Sequence, residues 1–279
     1  TKLDKASATN YGVAKIDPST LYIGTDGTLK VKSVINDGTA YTVRVKRGAT
    51  FDLNGVSGIT VNVILEEGAT FVNTGNAISY NADQTVKIIL DGDATVKTEN
   101  DMGLIAPDRN KSELNLGSHI LTLKGGNTFR LCNTAVVGSG KIRVTNSGKL
   151  TVMASSDGAA GNYSSGGDNY ELVMESGSTL TIGNYQSLTV KNLTNNGVIT
   201  TTHKGTLIVK GILAPGNEIP VLTLADGATI KASATQVQTV SSTFSASGTI
   251  TIDASEIMKD QLKVAGKTGI PVLTVPAVP

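Results

Sequence analysis

The sequence predicts an all-β protein built as a parallel β-helix, a β-solenoid with coils of roughly 20–22 residues. Three observations carry that expectation. Short strands opened by glycine recur along the chain: Gly-Ala-Thr-Phe at Gly48 and Gly68, Gly-Ala-Thr-Ile at Gly227, with variants at Gly27, Gly177, Gly205 and Gly248. Gly27, Gly48 and Gly68 are spaced by 21 and 20 residues, and Gly205, Gly227 and Gly248 by 22 and 21. Within these repeats apolar and polar residues alternate, as in Tyr41–Lys46, Lys141–Val144 and Ser187–Lys191, which turns one set of side chains to a core and the other to water. Between the strands stand Asp-Gly at Asp26, Asp37, Asp91, Asp157 and Asp226, and Asn-Gly at Asn54 and Asn196, dipeptides that accept the positive φ of tight turns.

An antiparallel sandwich would reverse the chain at each such turn. A solenoid bends it there and lays each copy on the last. The likeness of Gly48–Phe51 to Gly68–Phe71 favours the solenoid, because like residues then stack in parallel ladders. Phe51 is expected over Phe71, and Asn54 near Asn73.

Taken in order, residues 1–20 read as a leader for attachment or trimer formation, and residues 21–252 as the β-helix, its first strands at Leu21-Tyr-Ile and Leu29-Lys-Val. Alternation is lost near 99–113 and in the Gly/Ser/Asn-rich stretch 154–170, both expected to leave the stack as insertions. Residues 253–279 form the expected C-terminal cap: Asp253-Ala-Ser-Glu256 resembles a capping box opening a short helix through Ile257, Met258, Leu262 and Val264, stopped by Gly266. The segment Ile270–Pro276 then suits an edge strand, and this cap would shield the last coil from pairing with another molecule.

Composition narrows the function classes. The 279 residues are 39% hydrophobic and carry 24 basic against 23 acidic side chains, a net charge of +1. With the basic residues scattered singly, no nucleic-acid partner is expected. No apolar run approaches the roughly 20 residues that span a bilayer. The single cysteine, Cys132 beside Leu131, excludes an internal disulfide and reads as a core residue. With Thr1 at its start, the chain is expected to be a processed or excised piece.

Two stretches resemble known families. Ala6-Ser-Ala-Thr-Asn-Tyr-Gly-Val-Ala-Lys-Ile-Asp17 resembles the Ala-Ser/Thr-x-x-x-Tyr-Gly-Val segments of bacteriophage fibre and tailspike proteins, with Ile16 where leucine is usual. Gly205–Gly216 and Gly227–Pro276 look like the β-repeats of autotransporter passengers, although no membrane-barrel domain follows here. Both resemblances imply a β-solenoid outside the cell, on a virion or a bacterial surface. The first also implies a homotrimer.

Enzymes that cleave polysaccharides use the same fold, and they need converging carboxylates or a Ca²⁺ site. Asp91 and Asp93 are the closest acidic pair on a repeat, but Asp91-Gly92 is a turn dipeptide and solvated turn carboxylates are the plainer reading. Asp101 and Asp108, beside Arg109 and Lys111, read likewise as loop residues. His119 and His203, the only histidines, lack a Gly-x-Ser-x-Gly partner motif. Neither Gly266-Lys-Thr268 nor Ala135–Ile142 completes a phosphate loop, and the Gly-Gly-x-Gly-x-Asp calcium repeat is missing. No catalytic residue, metal or cofactor is expected.

Binding remains. Tyr163, Tyr170 and Tyr185 cluster with Asp168 and Asn169 in a chain of only seven tyrosines and no tryptophan. Amphipathic tyrosines among small polar residues suit a recognition loop; packing of the insertion onto the solenoid wall is the plainer alternative. The expectation is a non-enzymatic extracellular fibre or adhesion module, a homotrimer that binds a cell-surface glycan or protein receptor. The passenger or stalk of a bacterial surface protein is the second reading, and a polysaccharide-degrading enzyme the third.

Overall fold

The structure is a computed structural model that describes residues 21–23, 28–31, 40–52, 60–72, 86–98, 102–105, 112–153, 163–202, 204–217, 219–224, 229–231, 238–246, 249–253, 262–264, 267–268 and 272–274. It is a parallel β-solenoid. A first sheet of 13 strands runs from Leu21–Ile23 to Val272–Thr274, and a second of 12 includes Ala40–Val45 and Leu262–Val264 at its ends. A third, of five strands from Met102–Ile105 to Val198–Thr201, adds another side to the middle coils. Among the described strands every pair is parallel except the opening one, where Leu21–Ile23 lies antiparallel to Leu29–Val31.

Each short strand alternates because one side chain of every two must enter the interior. In Ile120–Lys124, Leu121 and Leu123 are buried while Thr122 and Lys124 face outward. Register then stacks equivalent positions. Phe51, Phe71, Val96, Leu123, Val144 and Met174 follow one another at a single core position. All are fully buried, and each large apolar side chain so placed contributes about 1.5–3 kcal/mol. The Phe51 and Phe71 rings are 5.9 Å apart and 15° from parallel, the stack expected from their shared motif. Asn54 and Asn73 lie outside the described residues.

At six corners between sheets the chain turns on one local device. Ala49 N–H donates to Lys46 C=O, Ala69 to Glu66, Gly148 to Thr145, Ser178 to Glu175, Gln186 to Gly183 and Gly205 to Thr202, at 2.8–3.1 Å. In all six turns the third residue has positive φ, the condition that makes glycine the default there. Ion pairs then join coil to coil across the outer surface: Lys87 with Glu113, Lys141 with Glu171, Arg143 with Glu175, and Arg44 with both Glu66 and Asp91. At this exposure each contributes about 0–1 kcal/mol. They favour correct register more than they add stability.

Three expectations are corrected. The stretch 99–113 holds a strand of the stack, Met102–Ile105, registered on Phe129–Cys132. In 154–170, the strand Ser164–Gly166 pairs with coils on both sides, so residues 163–170 belong to the coil. Leu262 and Val264, read as helical, lie in the strand Leu262–Val264 paired with Gln238–Ala246, and Asp253 ends the strand Thr249–Asp253. Leu262-Lys-Val264 keeps the two-residue alternation, which a parallel neighbour selects over a helix. The rest of that expected helix, 254–261, and the leader 1–20 lie outside the described residues.

Two stability outcomes follow. Phe71→Ala should lose about 3–5 kcal/mol in urea unfolding, and a double-mutant cycle with Phe51→Ala should return a coupling of about 0.5–1.5 kcal/mol; zero coupling would mean the rings are not stacked. Gly48→Ala adds a Cβ into open space at φ +74°, whereas at Gly166 (φ +98°) the Cβ would lie 2.1 Å from the Thr189 carbonyl oxygen. Gly166→Ala should therefore destabilise clearly more than Gly48→Ala, whose cost is the left-handed backbone alone, about 1–2 kcal/mol. Equal costs would contradict this packing.

Candidate functional site

The solenoid separates the residues that the sequence groups together. Tyr170 stands where the chain turns from the second sheet into the first, with its carbonyl accepting Lys191 N–H at 3.0 Å. It is only 1% exposed and ranks among the largest fully buried side chains. Burial pushes its phenol pKa well above the ordinary value, because the phenolate would lose its hydration. Tyr170 is therefore a core residue, out of a ligand's reach. Asp168 and Asn169 are exposed at the same corner, where Asp168 meets Lys210 at 2.9 Å.

Tyr163 and Tyr185 lie elsewhere, at the edge where the chain passes from the third sheet to the second. The Tyr163 carbonyl accepts Ser187 N–H at 3.0 Å, which sets Tyr163 directly against Gln186, the neighbour of Tyr185. Tyr185 is 42% exposed. The ammonium of Lys204, one coil further on, lies 5.0 Å from its ring centroid. Lys204 is not among the residues that the sequence singles out. The available signal was its place in Thr202–Gly205, 19 residues after Tyr185, the spacing by which Ser187 pairs with Thr206.

Tyr185 and Lys204 occupy the same turn position in successive coils, both at φ +56°. Equivalent positions at other corners hold Gly48, Gly68, Ser147 and Gly177. A bulky residue in the left-handed region is an outlier that costs about 1–3 kcal/mol. An exposed cation–π contact returns about 0.5–1 kcal/mol. The fold alone does not account for these two residues.

The same edge carries the longest connections among the three-sided coils. Residues 106–111 join Met102–Ile105 to Ser112–Asn115, and residues 153–163 join Lys149–Val152 to Ser164–Gly166, both from the third sheet to the second. The other two edges there use one to four residues per corner.

The groups considered for catalysis are engaged in the scaffold. Asp91 pairs with Arg44, whose own pKa is raised by its hydrogen bonds to Asp91 and Glu66. Asp93 accepts Ile120 N–H at 2.8 Å and lies 4.0 Å from His119. Cys132 is buried. Among the described residues no three His, Cys, Asp or Glu side chains gather as a metal site requires; Asp101, Asp108, Arg109, Lys111 and His203 lie outside those residues.

Tyr170 gives a pH-dependent outcome. Its pKa is raised on folding, so its contribution is complete below the unfolded value near 10 and is lost as pH rises beyond it. The loss steepens toward about 1.4 kcal/mol per pH unit. Tyr170→Phe should flatten this dependence in urea unfolding between neutral and strongly alkaline pH, and an unchanged slope would place the phenol in solvent.

The chain matches no protein-family model, no curated protein and no solved structure.

Proposed function

We propose that this chain is a rigid, non-enzymatic rod from an extracellular fibre or adhesion protein of a virion or bacterial surface. It presents the edge between its third and second sheets to a cell-surface receptor, a glycan in the first instance. The observation that carries the reading is the concentration of irregularity on that edge of the three-sided coils, where their two longest corners and the exposed Tyr185–Lys204 pair coincide. Recognition belongs where a scaffold tolerates change, and loops at the rim of a repeat stack tolerate it best. The engagement of Asp91, Asp93, Glu113 and Glu171 in coil-to-coil contacts supports the absence of catalysis. The resemblance of Ala6–Asp17 to phage fibre segments supports a homotrimer assembled through residues 1–20.

The test has two arms. Sedimentation equilibrium of the chain with residues 1–20 intact should return three times the 28.7 kDa chain mass; a monomer at micromolar concentration would favour the stalk of a bacterial surface protein instead. In whole-cell and glycan-panel binding, Tyr163→Ala with Tyr185→Ala should weaken attachment by about 10-fold or more, while Asp168→Ser with Asn169→Ser on the other edge should not. The reverse pattern would move the site, and release of new reducing ends from any panel glycan would make the protein an enzyme.

A further inference from the structure

Lys204 sharpens what that edge recognises. Its ammonium is exposed and lies over the Tyr185 ring, and among the described residues it has no carboxylate partner. On the sheet faces Arg44, Lys87, Lys141 and Arg143 each meet an acid of a neighbouring coil, while Lys97, Lys124 and Lys149 meet none among the described residues; Lys204 differs from both groups in lying over an aromatic ring. Among the described residues Lys204 is thus a cation held over a ring without a counter-charge, on a backbone conformation that lysine rarely adopts. Its partner in the pair, Tyr185, offers an amphipathic ring of the kind that packs on the apolar face of a pyranose.

Resting on the glycan-binding reading above, we infer that the Tyr185–Lys204 corner binds a carboxylate-bearing sugar, a uronate or a sialate. The pyranose lies against the tyrosine ring and the carboxylate pairs with Lys204. The exposed Asn184 amide completes the rim: Asn184 precedes Tyr185 in the turn, and its main-chain carbonyl accepts the side-chain amide of the buried Gln186 at 3.2 Å, which fixes the corner. A neutral sugar would leave Lys204 unanswered. A phosphate would answer the charge but give the ring nothing to hold.

Two matched probe pairs separate charge from shape: trigalacturonate against its methyl ester, and 3′-sialyllactose against lactose. Saturation-transfer NMR and titration of the full chain should show binding of at least one acid and at least about 10-fold weaker binding of its neutral counterpart. Lys204→Ala and Tyr185→Ala should each weaken the acid by about 10-fold or more, and Lys204→Arg should retain it within about 3-fold. Tyr185→Gly should abolish binding with a melting temperature no lower than the parent's, since glycine relieves the left-handed backbone; this separates lost recognition from lost folding. Which acid binds distinguishes uronate from sialate. Equal binding of acid and neutral probe, unaffected by Lys204→Ala, would overturn the inference and leave the glycan-binding reading standing. Binding of neither pair would also overturn it, and whole-cell attachment then decides separately whether the receptor is a protein.

Discussion

A parallel coil cannot satisfy its own backbone. Each strand's N–H and C=O groups point along the solenoid axis, so every coil depends on the one above and the one below, about 4.8 Å away. Register between coils is therefore the constraint on which the rest of this structure depends. It stacks Phe51 on Phe71 and continues that core position through Val96, Leu123, Val144 and Met174. It also carries the same position on to Asn195, fully buried where apolar side chains precede it, and then to Pro215. The Asn195 side-chain oxygen accepts Gly197 N–H at 3.2 Å, so it serves the turn that follows.

The same constraint governs the polar residues at the corners, where the backbone ladder is interrupted and donors need other acceptors. Asp93 accepts Ile120 N–H at 2.8 Å and Asn192 accepts Ile212 N–H at 2.9 Å, each from the next coil. Glu67 accepts Asp93 N–H, and Ser165 accepts Thr134 N–H deep in the wall. Asp93, half of the acidic pair that suggests chemistry in the sequence, thus stands in for a missing backbone carbonyl.

What the sequence made legible follows from this. Strand alternation and the Gly-Ala-Thr-Phe repeat report register directly, so the fold class and the Phe51–Phe71 stack could be read in advance. Loss of alternation was a weaker guide. Met102-Gly-Leu-Ile carries a glycine at an outward position and Ser164-Ser-Gly has no large apolar residue, yet neighbouring coils hold both as strands. Tyr170 was grouped with exposed residues because its neighbours Asp168 and Asn169 are polar; only the corner geometry turns its ring inward. Tyr163 and Tyr185 are 22 residues apart in sequence, within the coil length expected from the glycine repeat, and are adjacent in the stack.

An edge is also the part of this fold best able to acquire a function. A residue on a sheet face is flanked above and below by fixed neighbours, and the cross-coil ion pairs show how closely those positions are coupled. A corner has to return the chain to register, but between leaving one strand and entering the next its length and composition are free. The edge between the third and second sheets takes four residues at Gly183–Gln186 and eleven at 153–163 without disturbing the strands on either side. Where such a corner stays short, nothing in the fold calls for more than a residue that accepts positive φ, and Gly177 meets that need one corner away in the same coil. Tyr185 and Lys204 meet it against their own conformational preference, in consecutive coils and in contact with each other. A cost carried twice at equivalent positions points to selection for what the two side chains present outward.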